Sequence, residues 1–162
     1  MEKREENLVL SEAAAAALTA HNRAAILRPD GGGKTNEVWA WAAAHPGALL
    51  VWLTCDEGRC TLRAAEARQQ GRELGADIRL VSASQLAKYT PAQWAELAER
   101  RPGCIVLDSY RGFAPHAFLQ VVPRLRAYCP DAALIGLASP DEPDSCYEAE
   151  ALFQGVVAQT EN

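Results

Sequence analysis

Short apolar runs recur along this chain, separated by segments whose apolar positions follow helical spacing. Residues 24–27 (Ala-Ala-Ile-Leu), 48–54 (Ala-Leu-Leu-Val-Trp-Leu-Thr), 77–82, 103–107 (Gly-Cys-Ile-Val-Leu, closing on Asp108) and 132–137 read as strands. The run at 48–54 has no polar residue before its last position, which predicts a strand buried on both faces. Between the strands, Ser11 can cap a helix that runs through the alanines at 13–17 and ends near Asn22. Residues 35–45 predict a helix with Val38, Trp39 and Ala42 on one face, broken by Pro46-Gly47. An arginine-rich helix is expected over 57–74, ended by Gly75. Thr90 and Pro91 open a helix to Arg100. Another runs from Phe113 or Ala114 to Tyr128, with a bend expected near Pro123, and a last short strand is expected within 152–158.

Uniformly apolar strands that alternate with helices predict an α/β fold: three layers, α/β/α, around a mainly parallel central sheet. No internal repeat or composition break divides the 162 residues, so one domain over 1–162 is expected. No apolar run approaches the roughly 20 residues of a membrane span, and the charged start Met1-Glu2-Lys3-Arg4-Glu5-Glu6 leads into no signal-peptide core. The five cysteines, Cys55, Cys60, Cys104, Cys129 and Cys146, form no Cys-x-x-Cys pair. Zinc and a disulfide framework are therefore not expected, and reduced thiols in a cytoplasmic protein are. A net charge of −5 disfavours nucleic acid as a partner, although a local basic strip remains compatible with it.

The chemistry concentrates at Arg28-Pro29-Asp30-Gly31-Gly32-Gly33-Lys34-Thr35. A glycine-rich turn between a strand and a helix lets backbone N–H groups and the helix N-terminus converge on a polyphosphate, because no Cβ blocks the approach. Lys34 would reach the β- and γ-phosphates and Thr35 would hold Mg²⁺. The first glycine of that motif is replaced by Arg28. A second element, Cys104-Ile105-Val106-Leu107-Asp108, delivers a carboxylate to a strand tip, where it can contact Mg²⁺, usually through water. Both elements follow strands, so a parallel sheet puts them on one edge. Candidate nucleotide ligands are thus Arg28, Gly31, Gly32, Gly33, Lys34 and Thr35. Candidate metal ligands are Thr35 and Asp108.

With both motifs in place, the chain resembles the first RecA-like domain of superfamily 2 helicases of the DEAD/DEAH type. Leu50-Val51-Trp52-Leu53-Thr54 is similar to that family's motif Ia strand. Val81-Ser82-Ala83-Ser84-Gln85-Leu86 stands at its Ib region, and Leu134-Ile135-Gly136-Leu137-Ala138-Ser139-Pro140 at its motif III. The stretch 151–157 resembles the segment that closes such a domain. The resemblance implies a P-loop fold, ATP and Mg²⁺ as ligands, and helicase-like ATPase chemistry. It also implies what has been lost. The family's water-activating glutamate stands after the metal aspartate, where this chain has Ser109, and a serine hydroxyl is a poor base. No glutamine occurs in the first 30 residues to read adenine, and the second RecA-like lobe with its arginine finger is absent before Asn162.

The expected function is a stand-alone, helicase-like ATP-binding domain, weak or inactive as an ATPase and not a self-sufficient helicase. The alternatives are a decoy or interaction protein of a phage or mobile element, binding a helicase or nuclease, and an ATPase completed in trans by another chain or by a homo-oligomer. For the decoy, Trp41, on the helix face opposite Trp39, and the acidic stretch 141–150 are candidate contacts. Arg28 could pair with Asp30 or Asp108 or be solvated, and Asp30 is either a turn residue or a group behind the phosphate site. Arg59, Arg63, Arg68 and Arg72 read as a solvated face interleaved with Glu66 and Glu73, beside Asp56-Glu57, rather than as phosphate contacts. His21, His45 and His116 form no triad with a serine.

Overall fold

The computed structural model describes residues 10–29, 34–55, 66, 69–70, 73–143 and 145–159. Its elements in chain order are α1 (Glu12–His21), β1 (Arg23–Leu27), α2 (Lys34–Ala44), β2 (Leu49–Thr54), β3 (Asp77–Ser82), α3 (Ala83–Ala87), α4 (Pro91–Glu99), β4 (Cys104–Asp108), α5 (Pro115–Tyr128), β5 (Ala133–Ala138), α6 (Tyr147–Leu152) and β6 (Val157–Gln159). The helix expected over 57–74 lies largely outside the described residues; 66, 69–70 and 73 are helical.

The six strands form one sheet in the order β3-β2-β4-β5-β1-β6, and every pairing is parallel. The central strands β2, β4 and β5 are buried at every position, as their unbroken apolar sequences require. One face carries Ile26, Leu50, Trp52, Val106, Ile135 and Leu137, covered by α1 and α2. The other carries Ala25, Leu27, Val51, Leu53, Ile105 and Leu107, covered by α3, α4, α5 and α6. This is the three-layer α/β/α arrangement expected from the sequence.

Local chemistry sets the helix ends. The Ser11 hydroxyl accepts from the Ala14 N–H, and Asn22 closes α1 in the left-handed region at φ 58°. Thr90 and Gln93 form a reciprocal capping box at the start of α4, with Pro91 at its first position. The same box at Ser82 and Gln85 starts α3, a helix the apolar pattern does not announce. Its signal was present in the spacing Ser82-x-x-Gln85. Pro123 lies inside α5, which runs unbroken from 115 to 128. The closing segment differs from expectation. Residues 147–152 are helical, and the final strand is confined to 157–159. Phe153 ends that helix and is fully buried against Tyr110, with ring centroids 4.8 Å apart, so packing fixes a turn where the apolar residues alone suggested a strand.

Gly136 in β5 is a close-packing point. A Cβ there would lie 2.7 Å from Phe153 Cζ and 2.8 Å from Tyr110 Cδ1. Both rings are fully buried and have no room to retreat. Gly136→Ala is therefore expected to lower unfolding free energy by about 1–3 kcal/mol in urea titrations. An unchanged midpoint would show that the two rings can yield.

Candidate functional site

Parallel pairing sends the carboxyl ends of all six strands to one edge. Two of the sequence-predicted groups meet that edge together. Lys34 is the first residue of α2, seven residues beyond the last pairing of β1, and Thr35 lies in the first turn of the helix. Asp108 is the last residue of β4. One strand, β5, separates β4 from β1: Asp108 is level with Leu137, and Leu137 with Ile26. At about 4.8 Å per strand, Asp108 stands roughly 10 Å across the sheet from Ile26. Gly31, Gly32, Gly33 and Asp30 lie outside the described residues.

Strand alternation decides which way Asp108 faces. Cys104 and Val106 point to the α1–α2 face, and Ile105 and Leu107 to the other, so period two puts Asp108 on the α2 side. Its neighbours agree. Trp52 Nε1–H, from the adjacent strand and the same face, donates to Asp108 Oδ2 at 3.1 Å. Trp52 in turn packs on Trp39 of α2, with ring centroids 5.2 Å apart. The helix that would carry Lys34 and Thr35 is thus linked through two indoles to the carboxylate. Asp108 is only 6% exposed, so the indole N–H replaces hydration that the strand tip has lost. Thr54, the residue level with Asp108 on β2, is also buried. The sequence reading placed Trp52 in the core but did not anticipate its indole as the donor to Asp108.

Arg28 pairs with Glu37. Its Nη2 lies 2.8 Å from Glu37 Oε2, and Glu37 sits one turn into α2 with only 1% exposure. The Ser11 N–H donates to the other oxygen of Glu37 at 3.0 Å. The ion pair joins the residue that follows β1 to the first turn of α2. A buried glutamate requires such a partner, and here the residue standing in for the motif's first glycine supplies it.

Ser109 is also engaged. Its hydroxyl donates to Glu142 Oε1 at 2.9 Å, and the Ser139 N–H donates to the same oxygen at 2.8 Å. The turn after β5 is thereby folded onto the tip of β4, and the Ser139 hydroxyl is spent on Asp141 at 2.6 Å. Arg111 Nε binds Glu150 Oε2 at 2.8 Å. Two carboxylates of the stretch 141–150, Glu142 and Glu150, are therefore bonded within the chain. Cys55 lies beside this cluster, its Sγ 2.6 Å from where a Cβ on Gly112 would be. Burial pushes its thiol up, a Ser109 backbone hydrogen bond lowers it, and the Asp108 and Glu142 carboxylates raise it further. On balance the thiol is pushed up, which disfavours the nucleophilic thiolate.

Trp41 corrects a second expectation. Although about 200° around the helix from Trp39, it is only 6% exposed, stacked on His45 at 4.0 Å and pressed toward Gly103, where a Cβ would meet Trp41 Cη2 at 3.1 Å. It belongs to the core. Among the described residues there is no cluster of three or more His, Cys, Asp or Glu that could hold a metal ion by itself, and no helix long and apolar enough to cross a membrane. No family model matches this chain, and no curated protein matches it.

Trp52→Phe keeps the aromatic packing and removes one N–H. It should cost about 1–3 kcal/mol of stability, since a buried carboxylate oxygen loses a donor. In a double-mutant cycle with Asp108→Asn, a coupling near 1 kcal/mol or more is expected. Coupling indistinguishable from zero would mean that the 3.1 Å contact contributes nothing.

Proposed function

We propose that the chain binds Mg-ATP at the carboxyl edge of its sheet and turns it over slowly or not at all, as a RecA-like P-loop domain without the machinery of a helicase. The observation that carries this reading is the shared placement of the two motifs. The start of α2 at Lys34-Thr35, which follows β1 in the chain, and the carboxylate of Asp108 lie toward one sheet edge and on one sheet face, with a single strand between β1 and β4. Phosphates would lie against the loop and the N-terminus of α2. A hydroxyl and a carboxylate are the hard oxygen donors that Mg²⁺ prefers, so Thr35 and Asp108 suit the ion and would supply charge neutralisation for the phosphates.

The hydrolytic step is where support ends. Ser109 offers no base, and its hydroxyl is committed to Glu142. The decoy reading is weakened by the same contacts: Trp41 is buried, and Glu142 and Glu150 are bonded within the chain.

Two experiments test the proposal. Mg-ATP at 100 times its Kd should raise stability by about 2.7 kcal/mol, several degrees of Tm for a domain of this size. The shift should vanish in Lys34→Ala; absence of any shift in folded wild type would sink the proposal. Restoring a carboxylate must respect Glu142, because Ser109→Glu alone would set two carboxylates against each other. The pair Ser109→Glu with Glu142→Gln is expected to hydrolyse ATP faster than wild type. A folded double variant with unchanged turnover would show that the missing glutamate is not what limits the reaction.

A further inference from the structure

The opposite edge of the sheet, where the strands begin, holds a cleft of about 350 Å³. The C-terminal ends of α1 and α5 form its walls, with Ile105, Leu134 and Pro123 as an apolar floor and side. Its basic residues are His21, Arg23 and Arg126, and no Asp or Glu lines it. That is unexpected in a chain with 21 acidic and 16 Lys and Arg residues.

Among the described residues none of the three has an ion pair. Arg23 donates through Nε to the Leu152 carbonyl at 2.9 Å, which fixes the guanidinium, and neither Nη makes a hydrogen bond among the described residues. Arg126 and His21 make no ion pair or side-chain hydrogen bond among the described residues. The nearby exposed Asp131 makes no ion pair among them either. The frame is firm: Asn22 Nδ2 donates to the carbonyls of Asp131 and Ala132 at 3.4 Å each, and the Leu134 N–H donates to the Asn22 carbonyl at 3.0 Å. Cations at helix C-termini are common because they complement the helix dipole, which accounts for His21 and Arg126 singly. It does not account for Arg23, which stands on a strand, nor for the lack of any carboxylate between them.

We propose that this cleft is a second binding site, separate from the nucleotide edge, for a small organic molecule bearing an oxyanion. A guanidinium with two unengaged Nη groups suits a phosphate or carboxylate, and the apolar floor suits the body of such a ligand.

The test uses thermal unfolding of the full chain, titrated at constant ionic strength with inorganic phosphate, with glycerol 3-phosphate and with propionate. Ligand at ten times its Kd should raise Tm by about 4 °C. Arg126 is exposed, so Arg126→Glu should fold normally and lose the shift. Lys34→Ala should keep it, which separates this cleft from the nucleotide loop. A larger response to glycerol 3-phosphate than to phosphate, or to propionate alone, would identify which oxyanion the cleft takes. No shift with any of the three, or a shift that survives Arg126→Glu or disappears in Lys34→Ala, overturns the proposal.

Discussion

A carboxylate at the tip of a strand buried on both faces must be given a donor, and in this protein Trp52 gives it. Asp108 cannot reach bulk water freely, yet it stands where the sheet presents its chemistry. The indole N–H at 3.1 Å holds one oxygen, and Trp39 of α2 holds the indole. Strand, neighbouring strand and helix are thereby fixed relative to one another. The position of α2 on its face, and with it the start of the helix at Lys34, rests on that stack.

The same economy governs the two other polar contacts at this edge. Arg28, just after β1, and Glu37 of α2 form an ion pair, and the Ser11 N–H ties that pair to the start of α1. Ser109 and Ser139 share one oxygen of Glu142 and so join the tips of β4 and β5. Each contact engages a polar side chain at this edge within the fold.

The strands were legible because burial on both faces demands unbroken apolar runs, and few other structures produce them. The helix at 91–99 was legible through Thr90 and Pro91, whose preferences are local. Trp41 was misread because helical periodicity assumes one buried face, whereas α2 is buried from Glu37 to Ala42 and Trp41 finds space beside Gly103 and His45. The helix at 147–152 escaped because nothing local caps it; Cys146 makes no side-chain cap bond, and the packing of Phe153 against Tyr110 is a long-range fact.

The sequence by itself determined the parallel α/β architecture and sent the start of the helix at Lys34 and Asp108 toward one edge. It could do so because apolar period and strand polarity are properties of the chain. Only the tertiary structure decided the partners: Trp52 for Asp108, Glu37 for Arg28, Glu142 for Ser109, and Arg23 with Arg126 around the cleft at the far edge. Those pairings join residues 9 to 103 positions apart in sequence, and no local preference encodes a meeting that depends on strand order and register.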